Sequence, residues 1–573
     1  MNAKELSLAD RARAWMAVDV CEEDQAAVLA MLEAKQWEEL GQCFAAELEF
    51  GTAGLRGLEG VGPNRMNRAV VRRASYALAL TLDDHVPDAK KRGVVVGYDA
   101  RRGSEAFALE TAGVLLAAGF TVRLFEREGP TPLAAHALLR HKAAAAVVVT
   151  ASHNPPAYNG YKVYWANGAQ ILSPIDVEIF DRIVNGPAAK DIPCVDGAEA
   201  RQRSLVVGKD DSEAFLSDLL QPYAAGASTD APIVYTAMHG VGARHTMEVL
   251  ARGGFSHVVP VPEQVEPDAA FPTVAFPNPE EPGAMDLAFR TARDSNAPLI
   301  LANDPDADRL AVAERASDGS YVQLTGNQVG VLLGDQAIAT STVAHPLVVN
   351  SFVSSPMLGA IAKARGVRFE ETLTGFKWIE NRALELERNE GLQLIFGYEE
   401  ALGYAVNAHV RDKDGVGAAL AMANLWRQLR ARGQTLLGRL DELYREFGLY
   451  VGGSYSLTYQ GADAKAQIDA RMAALRANVP TKLGGLSVSL FADLLDVNRP
   501  GDIHLPPSDV LLFRLGDDGR VLVRPSGTEP KCKVYIDVRE PVRDGEPVSD
   551  ARARAESRSL AIRQDVLVAM DAS

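Results

Sequence analysis

The chain has 573 residues, enough for about four domains of ordinary size. With 47% hydrophobic and 23% charged residues it resembles an ordinary globular protein, which excludes wholesale disorder, a collagen-like chain and a small disulfide scaffold. A formal net charge of −16 argues against a nucleic-acid partner held by overall charge, while a local basic pocket for phosphate stays compatible with it.

The N-terminal residues predict a helical extension. Over residues 8–50, apolar residues recur at spacings of three and four with charged residues between them, which is typical of amphipathic helices. The segment ends at Phe50, where the glycine-rich stretch GTAGLRG begins. The first fifteen residues mix both charge signs and lack an apolar run, so they are not a signal peptide.

The chain also lacks membrane and disulfide signals. The longest stretch free of Asp, Glu, Lys and Arg, Gln336–Ala362, contains His345, Asn350 and two prolines, which excludes a membrane helix and a membrane partner. The four cysteines show no CxxC spacing, so they predict free thiols in a reducing compartment. We therefore expect a soluble cytoplasmic protein.

After residue 51 one pattern occurs three times: a short apolar strand, a loop, an amphipathic helix, a glycine and a second strand. The copies start at Gly93, Pro232 and Pro346. Strand–helix–strand units of this length predict α/β domains with largely parallel sheets. In each copy a glycine stands where the helix needs its left-handed C′ residue, namely Gly119, Gly253 and Gly366.

Each copy continues into a further apolar strand and an unusual loop. The three strand–loop pairs read AAAAVVVT–ASHNPPAYNGYK, APLILAN–DPDADR and LQLIF–GYEEALGY. Ligands of open α/β sheets collect beyond the carboxyl ends of strands. Three such ends facing one cleft would build a site from three domains.

Beyond about residue 450 the pattern changes to that of a smaller α+β domain. SYSLTYQ and LSVSLF alternate like half-exposed strands, VLVRPSGTEPKCKVYIDV reads as strand, loop and strand, and a helix is predicted over 551–570. The predicted domains are a helical extension followed by four domains, with boundaries at 1–50, 51–207, 208–325, 326–450 and 451–573.

The loop TASHNP presents the first candidate catalytic residue. Ser152 stands at a strand end before a proline-containing turn, which makes it a candidate nucleophile. An ordinary turn of short polar residues is the alternative. No GxSxG elbow is present, so a hydrolase of that type is unsupported.

The loop DPDADR presents a candidate metal site. Asp304, Asp306 and Asp308 alternate on an extended segment, so their carboxylates point one way and repel unless a cation neutralises them. Oxygen ligands next to phosphate chemistry favour Mg²⁺. An EF-hand is excluded because Arg309 and Arg315 occupy its glycine and glutamate positions. A solvated acidic turn is the remaining alternative.

The loop RPSGTEPK presents a candidate phosphate site. Its Arg, two hydroxyls, glycine amide and Lys can together bind phosphate oxygens. A surface turn is the alternative reading.

Taken in order, TASHNPxxxNGYKVYW, DPDADR, GYEEALGY and RPSGTEPK resemble the four signature loops of the α-D-phosphohexomutase superfamily. GTAGLRG, TAMHGVG, TGFKWIE and DKDGVGAA are most similar to the branch of phosphoglucomutases and phosphomannomutases that includes phosphopentomutase-type enzymes. The resemblance implies a four-domain architecture, with three similar mixed α/β domains and a smaller C-terminal α+β domain around a central cleft.

The resemblance also implies roles for residues of the first two loops. Ser152 would be the phosphoserine that gives and takes the phosphoryl group. Mg²⁺ would bind between that phosphoserine and the three aspartates, with Arg309 beside them. Arg56 and Lys162 match basic residues near the transferring group. Lys162 and His153 are the candidate acid and base, although for His153, as for His239, a hydrogen bond that orders the loop is the alternative.

The later loops would bind the substrate. The sugar hydroxyls would contact Thr374, Gly375, Lys377 and Glu399. The phosphate that does not react would be held by Arg524, Ser526, Gly527, Thr528 and Lys533. Ala401 stands where the family often has a serine, and Gly403 where some members have a histidine, which leaves the preferred sugar open.

The implied activity is an intramolecular phosphoryl transfer between the 1- and 6-positions of a hexose. It would proceed through a bisphosphosugar such as glucose 1,6-bisphosphate, which also primes the enzyme. Glucose phosphates are the favoured substrates, with mannose and pentose phosphates as alternatives. A sugar-bisphosphate synthase of the same family stays open, while a non-catalytic paralogue is disfavoured because Ser152 and all three aspartates are present.

Overall fold

A computed structural model describes residues 3–49, 54–223, 228–459, 463–500, 503–525 and 531–571. The chain divides into two compact units. The first unit comprises Met1–Leu324, Gly375–Asn381 and Ala401–Arg427. The second comprises Thr325–Thr374, Arg382–Glu400 and Gln428–Ser573.

The helices of the described residues are, in chain order, α1 (Ala3–Met16), α2 (Glu22–Glu33), α3 (Trp37–Cys43), α4 (Arg68–His85), α5 (Ala89–Arg92), α6 (Ser104–Ala117), α7 (Thr131–Arg140), α8 (Ile175–Val184), α9 (Gly197–Arg203), α10 (Lys209–Leu220), α11 (Ala243–Arg252), α12 (Asp286–Asp294), α13 (Gly326–Thr340), α14 (Met357–Arg365), α15 (Phe376–Glu390), α16 (Gly415–Ala431), α17 (Leu436–Phe447), α18 (Ala464–Ala477) and α19 (Val548–Asp571).

The strands are β1 (Leu55–Leu58), β2 (Val94–Tyr98), β3 (Val122–Phe125), β4 (Ala145–Val149), β5 (Tyr158–Trp165), β6 (Leu205–Val207), β7 (Ile233–Thr236), β8 (Val258–Pro260), β9 (Leu299–Ala302), β10 (Ala311–Arg315), β11 (Tyr321–Gln323), β12 (Pro346–Ser351), β13 (Arg368–Thr372), β14 (Gln393–Glu399), β15 (Gly403–Ala405), β16 (Leu449–Thr458), β17 (Lys482–Leu483), β18 (Leu486–Ser487), β19 (Leu490–Asp493), β20 (Leu511–Arg514), β21 (Gly519–Pro525) and β22 (Lys531–Glu540).

The N-terminal extension consists of three short helices, α1 to α3. The predicted helical segment of 8–50 is too long, because turns separate the helices and the described residues after Phe44 are not helical. Trp15 packs edge-on against Phe44, with ring centroids 6.5 Å apart, and its Nε1 donates to Asp19. This buried aromatic pair packs α1 against the end of α3.

Two mixed sheets organise the first unit. One has the order β1-β5-β4-β2-β3-β6 and the other β11-β10-β9-β7-β8. In the first, β2 pairs in parallel with β3 and β4; in the second, β7 pairs in parallel with β8 and β9. The sequences VVVGY and AAVVV are buried at every position, as expected of parallel strands covered on both faces. The predicted strand–helix–strand units are confirmed here.

Two of the three glycines predicted to end a helix have the left-handed backbone conformation expected there. Gly119 and Gly366 have φ values of +85° and +71°, which favour glycine. The prediction for Gly253 is wrong, because its φ is −72° and the left-handed residue is Gly254, with φ +88°. The helix simply ends one residue later than the sequence pattern indicates.

The second unit contains the parallel run β13-β12-β14 and the antiparallel sheet β16-β22-β21-β20-β19. Helices α18 and α19 pack on the antiparallel sheet around a buried cluster that includes Met472, Phe513 and Ile562. LSVSLF forms two short strands, β18 and β19, instead of the single strand predicted. Helix α19 extends three residues before the predicted 551. The α+β character of this region is confirmed.

Within the described residues, every helix is too short or too polar to span a bilayer.

Candidate active site

Ser152 lies in the loop that follows β4, at the carboxyl end of a fully buried strand. Its side chain is 2% exposed and its φ is +54°, a left-handed conformation that costs free energy for a non-glycine residue. The Ser152 amide donates to Thr150 Oγ1 at 2.9 Å, which stabilises this turn.

Arg101, which the sequence analysis did not identify, holds the same loop. Its buried guanidinium donates to the carbonyl oxygens of Ser152 and Asn154 at 2.6 Å each, and to those of Pro155 and Tyr158 at 2.8 and 3.0 Å. Asp99 accepts from Arg101 Nε at 3.1 Å and neutralises it. The only sequence signal is a DxR pattern directly after β2, which is too common to be specific.

The three aspartates of the DPDADR loop lie together after β9. Asp304, Asp306 and Asp308 are fully buried, and each offers a carboxylate oxygen within 4.8 Å of the others. Oδ1 of Asp306 and Oδ1 of Asp308 have no hydrogen-bond partner among the described residues. Burial, followed by the charges of Asp306 and Asp308, raises the pKa of Asp304 well above its usual value. Such a cluster of buried, unpaired oxygens fits a hard divalent cation.

The serine and aspartate loops meet directly. Ser152 Oγ donates to Asp304 Oδ2 at 2.9 Å, across 152 positions of sequence. On its other side Ser152 Oγ lies 3.2 Å from His153 Nδ1. Burial, then the charges of Arg309 and Arg56, lowers the pKa of His153 well below its usual value, so the imidazole is neutral. A neutral imidazole at this distance can exchange a proton with the serine hydroxyl.

Two lysines neutralise the aspartates. Lys162 Nζ donates to Asp306 and to Asp308 at 2.8 Å each, and Lys413 Nζ lies 3.3 Å from Asp308. Burial opposes the charge of Lys162, but Asp306 and Asp308 outweigh it and raise its pKa, so Lys162 is protonated here. Burial likewise opposes the charge of Asp308, yet Lys162, Lys413 and Arg309 hold its pKa below the usual range.

Lys413 belongs to the DKDGVGAA motif, and the sequence analysis assigned it no role. The Lys413 side chain passes close to Gly403 of the third loop, so that a Cβ at Gly403 would lie 2.5 Å from Lys413 Cδ. Asp412 accepts from Lys413 Nζ at 3.0 Å. Gly403 therefore leaves the space through which Lys413 reaches Asp308.

Two predicted arginines, Arg309 and Arg56, contact residues of these loops. Arg309 Nε lies 3.9 Å from carboxylate oxygens of Asp304 and Asp308, and Arg56 donates to Asn154 Oδ1 at 3.3 Å. Burial, followed by the charge of Arg309, lowers the pKa of Arg56.

Residues farther from the serine take other contacts. Lys377 Nζ lies 3.8 Å from Asp176, and burial lowers its pKa. Gly375 has φ +119°, which explains the glycine there. His239 Nε2 lies 2.9 Å from Thr273 Oγ1, a contact that orders a loop.

The metal loop has a further partner that sequence reasoning missed. Thr131, the first residue of α7, donates from Oγ1 to Asp306 Oδ2 at 2.6 Å and from its amide to the Asp306 carbonyl at 2.9 Å. A threonine at a helix start carries no signal that distinguishes this role from ordinary capping.

The second unit contains the other predicted substrate residues. Glu399, at the end of β14, is 8% exposed, and Thr374 Oγ1 has no hydrogen-bond partner in the described ranges. Glu400, beside Glu399, accepts from the hydroxyls of Ser351 and Ser354 at 3.1 Å each, which fixes the end of the strand.

Two cations face each other on the C-terminal sheet. Arg524 on β21 pairs directly with Lys533 on β22. Like charges directly opposite on a sheet repel unless an anion lies between them, so this pair favours phosphate. Arg524 Nη2 donates to the Tyr535 hydroxyl at 3.2 Å. Ser526, Gly527 and Thr528, predicted to bind the same phosphate, lie outside the described residues.

Comparisons with known proteins show which family the whole chain resembles. Four family profiles match in order: phosphoglucomutase/phosphomannomutase alpha/beta/alpha domain I over residues 47–189, domain II over 213–319, domain III over 325–447, and the C-terminal domain over 465–557.

Several relatives cover most of the chain. A probable phosphomannomutase of Haemophilus influenzae is 42% identical over 482 residues, which is 83% of this chain and 93% of the relative. A human phosphopentomutase is 36% identical over 540 residues, 89% of this chain and 88% of the relative. A Staphylococcus aureus phosphoglucomutase is 33% identical over 512 residues, 87% of this chain and 91% of the relative.

One solved structure shows the likeness of fold. The crystal structure of a phosphomannomutase described for Thermus thermophilus aligns with a TM-score of 0.67 at 23% identity, over 91% of this chain and 99% of that protein.

Proposed function

Since the chain belongs to the phosphoglucomutase/phosphomannomutase family and is a phosphomutase, we propose that it moves a phosphoryl group between the 1- and 6-positions of a hexose, glucose first. The observation that carries this proposal is the contact of Ser152 Oγ with Asp304 inside three buried carboxylates. A small sugar phosphate is the substrate, and the cytoplasm, where free thiols are stable, is its place of action.

Asp304, Asp306 and Asp308 would hold Mg²⁺ beside the phosphate carried by Ser152. When bound, Mg²⁺ neutralises negative charge on the transferring phosphoryl group. The unpaired carboxylate oxygens of Asp306 and Asp308 support this assignment. Lys162, Lys413 and Arg309 add positive charge around the same position, which phosphoryl transfer requires more than any covalent chemistry of the protein.

The transfer runs in two halves. In the first, the bond between Ser152 Oγ and phosphorus breaks while a sugar hydroxyl oxygen bonds to phosphorus. The hydroxyl proton leaves to a base and a proton returns to Ser152 Oγ. In the second half the bisphosphosugar has turned end for end. Ser152 Oγ gives its proton to a base and bonds to the other phosphorus, the bond between that phosphorus and the sugar oxygen breaks, and the freed sugar oxygen takes up a proton. The neutral His153 supports proton exchange at Ser152, and protonated Lys162 supports proton donation.

The sugar hydroxyls bind to Thr374, Gly375, Lys377 and Glu399. Arg524 and Lys533, with Ser526, Gly527 and Thr528, hold the phosphate that does not react. The cation pair across β21 and β22 supports this role. A bisphosphosugar such as glucose 1,6-bisphosphate primes the serine.

Pentose phosphates are the second candidate substrates. The human relative, 36% identical over 540 residues, is named a phosphopentomutase, which is the observation that favours them.

The test is a panel of initial rates on glucose, mannose, ribose and deoxyribose 1-phosphates with Mg²⁺ and a trace of bisphosphosugar. We expect glucose 1-phosphate to give the highest kcat/KM, and Ser152→Ala to lose all measurable turnover because it cannot form the phosphoenzyme. Ser549→Ala, which removes an exposed hydroxyl on α19, is the matched control.

A pentose 1-phosphate leading the panel would contradict the hexose assignment. Turnover by Ser152→Ala would contradict the phosphoserine mechanism.

A further inference from the structure

A cavity of about 360 Å³ lies in the first unit, lined by none of the residues assigned to phosphoryl transfer. Its walls are the loop 126–129 between β3 and α7, the start of α10 and one face of α11. The volume is within the range of small-molecule sites, about 300–1,000 Å³.

The floor of this cavity is apolar. Phe125, Leu133, Val207 and Leu216 line it and are each at least 96% buried, at 2%, 3%, 3% and 4% exposure. Such a floor favours a ligand with an aliphatic or aromatic body, because burying apolar surface is the main source of binding free energy.

Four cationic side chains line the cavity: Arg127, Lys209, Arg244 and Arg252. Arg252 is engaged by Glu213 and Glu248, and Arg127 by Glu128. Arg244 is exposed and makes no hydrogen bond or ion pair within the described ranges. Arg244 is nevertheless partly shielded from solvent, and this partial burial, followed by the charge of Arg127, lowers its pKa. The charges of Arg244 and Arg127 repel each other, and Glu128 and Glu126 offset part of this repulsion. An anion between them would relieve it.

A buried polar group lies in the same wall. His245, next to Arg244 on α11, is 2% exposed, and its Nε2 lies 3.2 Å from Ser212 Oγ. Its Nδ1 has no hydrogen-bond partner among the described residues. Burial, then the charges of Arg244 and Arg127, lowers the pKa of His245 to about 3, so the imidazole is neutral and adds no charge of its own.

We propose that this cavity binds a small organic anion with an apolar body, its anionic group held by Arg244 and Arg127, and that its occupancy is coupled to the metal loop. The carboxylates of Glu126 and Glu128 disfavour a highly charged ligand such as a bisphosphate. A single sulfonate, carboxylate or phosphate on an apolar or aromatic body fits the lining.

We infer coupling between ligand binding and cation binding because two walls of the cavity, the loop 126–129 and α11, are connected to the loop of the three aspartates. The loop 126–129 continues into Thr131, which bonds to the carboxylate and carbonyl of Asp306. The chain before α11 passes through Val241, whose amide donates to the carbonyl of Pro305 at 2.8 Å. Both walls therefore end on the loop of the three aspartates. A ligand that prefers one position of these walls changes the affinity of that loop for a cation, and the cation changes the ligand's affinity by the same factor. This coupling rests on the proposed metal site; the binding itself does not.

The probe is anilinonaphthalene sulfonate, an aromatic sulfonate whose fluorescence reports binding. Titrated into the metal-free full chain, it should bind saturably at one site. Arg244→Glu should weaken this binding about tenfold or more, because it replaces a charge-assisted contact by repulsion. Arg127→Glu should act in the same direction. Arg432→Glu makes the same charge change at an exposed position outside the cavity and should leave binding unchanged.

Absence of saturable binding, or equal affinity in wild type and Arg244→Glu, would overturn the site. The affinity for Mg²⁺, measured by calorimetry with and without the probe, tests the coupling: we expect a change of about fivefold or more in wild type that disappears in Arg244→Glu. An unchanged Mg²⁺ affinity would overturn the coupling. If the probe binds as expected while no sugar phosphate is turned over, the proposed function fails and the site stands.

Discussion

At the residue scale, Arg101 is the contact that holds the serine loop in its left-handed conformation. Four carbonyl oxygens of residues 152–158 accept from its guanidinium, and the side chain is fully buried. Lysine has three donors on a single nitrogen and cannot reproduce this fork, so Arg101→Lys leaves buried carbonyls unpaired. Each such group costs about 1–3 kcal/mol.

We therefore expect Arg101→Lys to lower kcat about tenfold or more with little change in KM, because Ser152 loses its orientation while the sugar contacts persist. Steady-state rates and the rate of phosphoenzyme formation measure this at a temperature where circular dichroism shows a folded chain. Arg102→Lys, at the neighbouring exposed position, is the control. Equal rates for Arg101→Lys and wild type would remove the positioning role.

At the element scale, helix α15 buries a carboxyl group in its first turns. Glu380 is 4% exposed and its Oε1 has no hydrogen-bond partner in the described structure. Burial, then the charge of Asp412, raises its pKa to about 8. The pKa in the unfolded chain is about 4.3. Because the folded pKa is the higher one, the stability that this group confers is fully present below about pH 4 and is lost as pH rises toward 8 and beyond.

Glu380→Gln should remove this pH-dependent loss of folding stability, because glutamine does not ionise. We expect the unfolding temperature of the variant to fall less than that of wild type between about pH 5 and pH 9, with a difference of at most about 5 kcal/mol in the free energy of unfolding. Thermal melts at both pH values measure it. Glu385→Gln changes an exposed carboxyl of the same helix and should follow wild type. Parallel pH profiles for wild type and Glu380→Gln would show that folding does not raise the pKa of Glu380.

At the scale of the whole molecule, the proposed ligands of the cation all belong to the first unit. Ser152 and the three aspartates lie within Met1–Leu324, whereas Arg524 and Lys533 lie in the second unit. A cation that binds only the folded first unit stabilises it by about 2.7 kcal/mol at a hundredfold excess over its Kd. Because the chain has several domains, we expect the first unit to unfold in a transition of its own.

We expect Mg²⁺ to raise the unfolding temperature of the first unit by a few degrees, and chelation to reverse the change. Scanning calorimetry with and without Mg²⁺ measures it. Asp308→Asn should abolish the increase, while Asp318→Asn, at an exposed position ten residues later, should keep it. An increase of the same size in Asp308→Asn would place the bound cation elsewhere.

The sequence by itself determined the elements and the loops of this protein. Buried parallel strands read as apolar runs, and the loops that follow them carry serine, aspartate or arginine in patterns that local backbone chemistry explains. Such signals are local, since burial and turn geometry depend on near neighbours. Two predictions were wrong where adjacent residues give similar signals. The end of α11 was placed one residue early, at Gly253 and not Gly254, and three separate helices were predicted as one helical segment over 8–50.

Only the tertiary structure decided which loops meet. Ser152 and Asp304 bond across 152 positions, and Lys413 reaches Asp308 over Gly403, because the sheets bring separate strand ends together. Arg101 and Thr131 are ordinary residues in sequence, and their roles arise from groups that packing presents to them. The cavity beside α11 has no sequence signal at all. Contacts between distant segments depend on how whole elements pack, and no local pattern records that.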